Sequence, residues 1–379
     1  MPSPGEGRRV GQGPAESPKL QWDLDLGAVV FAAPVIVSQT DGMTGPTGPG
    51  VSDPVAYVGT HAGRFVGVVV EGDQAGTLVV DRFVEGIVWR RAAWDEDAGR
   101  LYFGADDDTL YAMDIATGEL AWRTRLGNCS PPRAPGPEGV RCDVDGGPTI
   151  GPDGDLYVGA DGVYRISPDG KVRWRAPDAE DVKYASHVYS IPLVTEGVDG
   201  AEGLVVHGGH NGTLTARSTT DGTERWTVSV GADVDGSAVQ GADGTIYVGS
   251  DNGNLLAVGL DGSVKWTFDT GAEIRSAVGL TPDGGIIVPS FSGSVTRLSA
   301  SGEAQWVLPT EGPVAGTPVF DADGTLFVGS RDDRLYAVGA AGQVLWNVEF
   351  PSDIDSSVAI SPLGTLVVGS DDGHLRALR

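Results

Sequence analysis

Histidine and cysteine, the side chains that most often act as bases, nucleophiles or metal ligands, are few in this 379-residue chain. The five histidines are spread along the sequence at His61, His187, His207, His210 and His374. There is no Gly-x-Ser-x-Gly nucleophile elbow and no paired-histidine motif. The sequence therefore predicts no catalytic residue. It favours a non-enzymatic role and leaves an enzymatic role open.

Aspartates recur in a short pattern, Asp-Val-Asp or Asp-Ile-Asp, that ends at Asp145, Asp235 and Asp355. Taking one residue at the equivalent position of each repeat predicts a ring at the mouth of a channel: Phe31, Arg90, Asp145, Tyr189, Asp235, Arg275, Ala315 and Asp355. Such a ring could hold a cation or a small polar ligand. Alternatively, Arg90 pairs with Asp145 and Arg275 with Asp235, since crowded charges need partners. We favour the ion pairs, so the sequence leaves a metal site undetermined.

A basic and aromatic cluster, Trp89, Arg90, Arg91 and Trp94, stands out in an acidic protein. Tryptophan and arginine are enriched at the centres of protein interfaces, which favours a partner-binding surface. The alternative is that Trp89 or Trp94 packs inside the fold. Both interpretations stay open.

An internal repeat organises the second half of the chain, where Trp226, Trp266, Trp306 and Trp346 follow one another at intervals of 40 residues. Each repeat contains β-branched and aromatic runs separated by Asp-Gly or Asn-Gly turns, which predicts four short antiparallel strands. Four strands with a period near 40 residues are typical of a propeller blade.

A glycine lies four residues before most of the repeat tryptophans, as in Gly262 and Trp266. This spacing resembles the tryptophan-docking motif of the pyrroloquinoline quinone (PQQ) repeat family, whose members are typically eight-bladed propellers. The resemblance covers residues 20–379 and implies that each tryptophan packs against the next blade over a glycine. The tryptophans it identifies are Trp22, Trp122, Trp174, Trp226, Trp266, Trp306 and Trp346.

The two ends of the chain complete each other in this interpretation. Residues 20–27 read as a fourth strand without a blade, and residues 351–379 read as a blade without a fourth strand. We therefore expect a single all-β domain over residues 20–379, an eight-bladed propeller of four-stranded antiparallel blades, closed by its N-terminal strand so that the last sheet edge is covered. Residues 1–19, rich in proline, glycine and polar residues, are expected to be a disordered tail.

Charge and cysteine content limit the partners and the compartment. The formal net charge of −26 argues against binding of nucleic acid. No apolar run is long enough to span a membrane, and residues 1–19 contain no signal peptide. Cys129 and Cys142 flank one short loop, and we favour a disulfide between them over two free thiols, which would imply an oxidising compartment. The expected protein is a monomer in the periplasm or on the cell surface.

Two insertions interrupt the repeat, Cys129–Cys142 and Ala179–Gly203, the second of which contains Tyr184 and His187. Both are expected to leave a fourth strand and enter the next blade, so that they lie on one face of the disc. Together with Trp89 and Arg91 they define the expected partner face: Trp89, Arg91, Tyr184 and His187. Loops on a rigid scaffold often carry function.

The resemblance implies three functions, which we rank. The first is a protein-binding scaffold without a cofactor, similar to the propeller lipoprotein of the outer-membrane assembly machine, with an unidentified protein partner. The second is a quinoprotein oxidoreductase acting on alcohols or sugars, which would need PQQ and calcium. No ligand set for either can be matched to residues of this chain. The third is a module that binds surface polysaccharide.

Overall fold

Short β-strands and no helix make up the described part of the chain, which in this computed structural model comprises residues 11–39, 45–127, 143–176, 187–195 and 202–379. The strands form eight sheets of four, and within each sheet neighbouring strands are antiparallel. The result is the expected eight-bladed propeller. Cys129, Cys142 and Tyr184 lie outside the described residues, so the disulfide stays a prediction.

The first four blades follow the chain from the inner strand to the outer strand. The bounds of the strands in blades one and two are β2 (Val35–Val37), β3 (Val55–Gly59), β4 (Arg64–Val69), β5 (Leu78–Phe83), β6 (Ala93–Asp95), β7 (Arg100–Ala105), β8 (Thr109–Asp114) and β9 (Glu119–Arg125). Those in blades three and four are β10 (Thr149–Ile150), β11 (Leu156–Gly159), β12 (Val163–Ile166), β13 (Val172–Ala176), β14 (Leu193–Val194), β15 (Leu204–Gly209), β16 (Thr213–Ser218) and β17 (Glu224–Ser229).

The last four blades close the ring. Blades five and six contain β18 (Val239–Gln240), β19 (Ile246–Gly249), β20 (Asn254–Val258), β21 (Val264–Asp269), β22 (Gly279–Leu280), β23 (Ile286–Ser290), β24 (Ser294–Leu298) and β25 (Ala304–Pro309). Blades seven and eight contain β26 (Val319–Phe320), β27 (Leu326–Ser330), β28 (Arg334–Val338), β29 (Val344–Glu349), β30 (Ala359–Ile360), β31 (Leu366–Gly369) and β32 (His374–Leu378). The fourth strand of blade eight is β1 (Leu20–Asp25), which pairs with β32 and confirms the expected closure.

The hydrophobic core lies between blades, because each middle strand is covered on both faces. In β7 and β8 nearly every residue is buried, whereas an outer strand such as β21 alternates exposed and half-buried residues. Phe65 of blade one stacks on Phe103 of blade two with ring centroids 3.9 Å apart. A blade thus buries its faces only against its neighbours, which is why the repeat must close into a ring.

All seven expected docking tryptophans lie at the seams between blades. Each donates a hydrogen bond from Nε1 to a main-chain carbonyl at 2.8–3.1 Å. Trp306, for example, donates to the carbonyl of Ala340 and lies against Gly342 of blade seven. Blade one has Val80 in place of the tryptophan, and there Arg82 Nε donates to the carbonyl of Gly118 at 2.9 Å. The packing of tryptophan over glycine agrees with the family resemblance.

The segment before β1 differs from its expected disorder over the residues that the structure describes. Gly11 N donates to the carbonyl of Ser361 at 3.1 Å, and Gly13 N donates to Asp321 Oδ2 at 3.0 Å. The carbonyl of Pro14 accepts the hydrogen bond from Trp346 at 2.8 Å. Blade eight has no continuous turn before its outer strand, so residues 11–14 supply the carbonyl that a turn supplies in the other blades.

Candidate functional site

Two sets of loops meet on one face of the disc, which we call the mouth face. One set connects each outer strand to the inner strand of the next blade, and the other joins the second strand of each blade to the third. The first set contains Trp89, Arg90 and Arg91, between β5 and β6. The opposite face carries the turns between first and second strands and between third and fourth strands.

The expected second insertion divides between the two faces. Residues 187–192, the described part of the link from blade three to blade four, belong to the mouth face, as expected. Thr195, Glu202 and Gly203 instead follow β14 and precede β15, so they lie on the opposite face. The strand Leu193–Val194 is only two residues long, which explains why the sequence did not reveal it inside the insertion.

Glycines in the second strands hold the connecting loops against the channel. A Cβ on Gly104 would lie 2.5 Å from Val144, and a Cβ on Gly59 would lie 2.3 Å from Val88. The residue after each of these valines faces the ring position. The close approach of valine to glycine therefore fixes which side chain of each connecting loop enters the mouth.

This packing corrects the ring in blade two. Val88 occupies the place of Val144, and Ala93 pairs with Tyr102 as Thr149 pairs with Tyr157. The residue equivalent to Asp145 is therefore Trp89, and Arg90 lies one position further on. The sequence register was one residue off because Ala93, placed opposite Pro148 in the alignment of the repeats, is equivalent to Thr149.

Four expected ring residues do come together at the mouth: Arg90, Asp145, Tyr189 and Asp235. Arg90 Nη2 donates to the carbonyl of Asp235, three blades further round the ring, at 3.3 Å. Desolvation lowers the pKa of Arg90, and the nearby carboxylates of Asp235 and Asp145 oppose that shift. Arg90 is therefore a central charge shared by several blades rather than half of one ion pair.

Arg275 pairs with a different carboxylate from the expected one. Its Nη2 lies 2.9 Å from Asp251 Oδ2 and 3.4 Å from Glu273, whereas Asp235 has His210 Nε2 at 3.4 Å. Burial works against ionisation of Asp235, but His210, Arg90 and Arg275 together outweigh it and lower the pKa of that carboxyl. The expected pair of Arg275 with Asp235 is thus a longer-range attraction.

A second set of mouth residues was missed by the sequence interpretation. Each follows by two positions the glycine near the end of the second strand, or Pro289 in blade six. The set comprises His61, Asp106, Asp161, His210, Asp251, Phe291, Arg331 and Asp371. Arg331 donates two hydrogen bonds of 2.8 Å to the carboxylate of Asp355. The guanidinium carbons of Arg331 and Arg275 lie 5.0 Å and 5.5 Å from the centroid of the Phe291 ring. The spacing of glycine, small residue and variable residue could have revealed this set.

Histidine and tyrosine side chains pack tightly on the mouth side of blade four. Tyr189 stacks on His210 with centroids 4.2 Å apart, and His187 lies 4.3 Å from Tyr189. His187 is fully buried and its Nε2 contacts the carbonyl of Asp143 at 3.2 Å. His187 therefore supports the mouth from inside, and its ring is not on the surface where the partner face was expected to place it.

Asp143, Asp145 and His187 are the described residues whose geometry suits a metal ion. One ligand atom from each lies within 4.8 Å of the other two, and all three are buried. Two carboxylates and an imidazole suit a divalent cation. The positive charge of Arg90 near Asp145 also offsets these carboxylates, and all three side chains make further contacts within the protein.

Two other carboxyl groups in the mouth have raised pKa values, because they are buried close to other carboxylates. Burial, together with the neighbouring carboxylate of Asp235, raises the pKa of Asp251 to about 6. Burial raises the pKa of Asp371 to about 6 as well, and Asp355 and Asp353 add to the shift. A mouth with this arrangement attracts cations, because its carboxylates repel one another when ionised.

The remaining members of the expected partner face have different environments. Arg91 is exposed, whereas Trp89 is half-buried, 4.3 Å from the ring of His61 and 5.8 Å from that of Phe31. Trp94 packs against the core shared by blades one and two. Arg91 is therefore the exposed described residue of this set, although the protein around its guanidinium lowers its pKa by desolvation.

Among solved structures, the likeness is to propellers of several kinds. BamB from Moraxella catarrhalis superposes with a TM-score of 0.67 at 18% identity, covering 96% of this chain and 97% of that one. The quinohemoprotein alcohol dehydrogenase from Comamonas testosteroni gives a TM-score of 0.71 at 15% identity, covering 98% of this chain and 78% of that one. At such identities these likenesses establish the fold alone.

Sequence comparison is more specific. An outer membrane protein assembly factor BamB from Yersinia pestis is 30% identical over 178 residues, which are 44% of this chain and 40% of that protein. The family described as outer membrane protein assembly factor BamB matches residues 106–199, 159–313 and 291–379. Since these matches run through more than half of the chain, the protein belongs to the BamB family.

Proposed function

We propose that this protein is a binding scaffold in outer-membrane protein assembly and that it acts in the cell envelope by holding a protein partner. The observation that carries the proposal is the family match, which extends over five complete blades and parts of two others. The sequence offers no catalytic motif, and a rigid propeller presents loops in fixed positions, as a scaffold requires.

The mouth face is the surface that we propose for the partner. Connecting loops of blades two to five converge there around Arg90, Tyr189 and Asp235. Arg91, exposed beside this cluster, provides a cation on a strongly acidic protein. Arginine beside aromatic residues is typical of interface centres, where the surrounding groups exclude water.

Affinity purification from the native envelope fraction tests this proposal. Wild-type protein should retain an outer-membrane assembly component, and Arg91→Glu should lose it while keeping the same thermal midpoint. The matched control is Lys171→Glu, which makes the same charge reversal in an exposed turn on the opposite face. Equal retention by both variants would exclude the mouth face. Loss with Lys171→Glu alone would place the partner on the opposite face.

The quinoprotein alternative is supported only by shared fold. The Arg90 side chain reaches from blade two to the carbonyl of Asp235 at blade five, and this contact across the described mouth supports the scaffold over a cofactor held in the middle of the mouth. Titration with PQQ and calcium tests the point directly. Stoichiometric binding with dye-linked oxidation of an alcohol or sugar would overturn the scaffold proposal. Polysaccharide binding is the weaker third candidate.

A further inference from the structure

The outer strand of blade six lacks the protection that the other outer strands have. β25 reads Ala304-Gln305-Trp306-Val307-Leu308-Pro309 and contains no charged residue. Each of the other seven outer strands contains at least one, such as Asp81 in β5 or Arg173 in β13. Charged side chains on an edge strand oppose pairing with a foreign strand. β25 is therefore the described outer strand that no charge protects, and Pro309 at its end is the protective residue that it keeps.

The residue after the docking tryptophan shows the same difference. In blade one the position is counted from Val80, which replaces the tryptophan. In chain order the residues at this position are Asp23, Asp81, Arg123, Arg175, Thr227, Thr267, Val307 and Asn347. Val307 is the one apolar side chain of the eight, and 57% of it is exposed. The flanking residues on its face, Gln305 and Pro309, are also uncharged and exposed. The whole outward face of β25 is thus neutral.

The main chain of β25 is available along one side. In its sheet β25 has a single neighbour, β24. The paired residues run from Ser294 opposite Pro309 to Leu298 opposite Ala304. Trp306 and Leu308 face the next blade, where Trp306 donates to the carbonyl of Ala340 at 3.1 Å. These contacts fix the strand in an extended form, so its free amide and carbonyl groups are already arranged to pair with another strand.

We propose that β25 is a docking site for an extended strand of another polypeptide, with an uncharged centre and basic ends. Main-chain hydrogen bonds would extend the sheet of blade six from four strands to five. The neutral centre matches Gln305 and Val307. The basic ends match the two exposed acidic residues that bracket the strand, Glu303 before it and Glu311 after it, and Glu311 also contacts Arg334 of blade seven at 2.9 Å.

A second copy of this chain fits the same edge poorly. Antiparallel pairing of β25 with itself brings Glu303 of one copy towards Glu311 of the other at both ends, and like charges opposite one another destabilise strand pairing. Two copies would also bring together two proteins of net charge −26. The arrangement of charge therefore selects a foreign strand over self-association.

A synthetic peptide tests the proposal without knowledge of the natural partner. The probe is fluorescein-labelled Lys-Thr-Val-Thr-Val-Thr-Val-Thr-Lys, and binding to the full chain is followed by fluorescence anisotropy. Val307→Lys should weaken binding by about tenfold, because it places a charge on the edge and opposes the basic probe. Thr267→Lys is the matched control: it makes the same change of charge at the same position in blade five, and it should leave binding unchanged.

A second probe distinguishes main-chain pairing from adsorption to an acidic surface. The same peptide with alternate amides N-methylated keeps its side chains and charge but loses the donors on one edge, so it should not bind. Equal binding of both peptides, equal weakening by the two lysine variants, or no binding of the unmodified peptide at about 1 mM would overturn the proposal. A wild-type dimer that Val307→Lys dissociates in sedimentation equilibrium would also overturn it, in favour of self-association. The mouth-face variant Arg91→Glu should bind the peptide normally, so this test is independent of the proposed function.

Discussion

The indole of Trp346 donates a hydrogen bond to the carbonyl of Pro14 at 2.8 Å, across 332 residues of sequence. Every other docking tryptophan donates to a turn within the next blade. Blade eight lacks that turn because its outer strand comes from the N-terminal part of the chain. The seam between blades seven and eight therefore depends on a segment that carries no strand of its own.

Removal of this segment should weaken the ring closure. Deletion of residues 1–14 should lower the thermal midpoint by about 2–4 °C, since two or three hydrogen bonds of about 1 kcal/mol each are lost in a large domain. Differential scanning calorimetry measures the change. Deletion of residues 1–10 is the control and should have no effect. Equal midpoints for both deletions would contradict a structural role for Gly11, Gly13 and Pro14.

Deletion of residues 1–27 should have a different consequence. It removes β1 and exposes the edge of β32, where Leu24 pairs with Leu375. Exposed strand edges template aggregation. Light scattering during heating should therefore rise for this deletion and not for deletion of residues 1–14. Similar scattering from both would mean that β1 does not cover the edge.

Glycine under a docking tryptophan should be less replaceable than glycine in an open turn. Gly342 and Gly324 have nearly the same φ, +82° and +81°, so alanine strains the backbone equally at both. At Gly342 the new Cβ would lie 2.7 Å from the Trp306 ring, whereas nothing lies within 4 Å at Gly324. Gly342→Ala should cost about 1–3 kcal/mol more than Gly324→Ala in urea unfolding. Equal costs would mean that tryptophan packing tolerates a methyl group.

Two adjacent aspartates should respond to pH in opposite ways. The pKa of Asp371 is raised to about 6 by burial and by Asp355 and Asp353. The pKa of Asp372 is lowered to about 2: burial opposes ionisation, but hydrogen bonds from Arg376 and Ser370 outweigh it. A raised carboxyl pKa means that the folded state binds the proton more tightly, so Asp371 favours folding more as the pH falls through 6 towards 4.

Asparagine at each position tests this. Asp371→Asn should raise the free energy of unfolding at pH 7.5 by about 1 kcal/mol, allowing for solvent screening, and the gain should vanish near pH 4. Asp372→Asn should instead lower it at pH 7.5, because Asp372 stabilises the fold above pH 3.8 and loses that effect only as the pH falls through about 2. Urea unfolding at several pH values measures both. A loss of stability for Asp371→Asn at pH 7.5 would contradict the electrostatic interpretation.

The cysteine prediction concerns the compartment. Mass spectrometry of peptides from protein kept in its native compartment and not reduced should show Cys129 joined to Cys142. Reduction should then lower the midpoint, since a closed loop of about 14 residues contributes roughly 3 kcal/mol by chain entropy. Two free thiols would remove this argument for an oxidising compartment.

The architecture followed from sequence because it depends on local, repeated features. The turn glycines, the β-branched strands and the tryptophans near Gly262, Gly302 and Gly342 each specify the same blade again. A repeat of this kind predicts strand order and closure. It cannot predict residues 11–14, since their role is to replace a feature that blade eight lacks.

The mouth was harder to predict, because its side chains vary from blade to blade. Counting back from the first strand placed Arg90 at the ring position, and the packing of Val88 on Gly59 places Trp89 there. His187 was expected on the surface but is buried, since its contacts with Asp143 and His210 come from separate parts of the chain. Such details depend on tertiary contacts that no single repeat encodes.

The pairing of β1 with β32 also sets a condition on biosynthesis. The strand that leaves the ribosome early must remain unpaired until β32, near the other end of the sequence, has been made. Sequence separation of this size slows folding and leaves an open edge in the meantime. Blades one to seven can assemble as they emerge, but the circle closes only afterwards. We therefore expect translation pauses or a holding chaperone to matter most for β1, which precedes the other strands of the ring and is the last of them to find its partner.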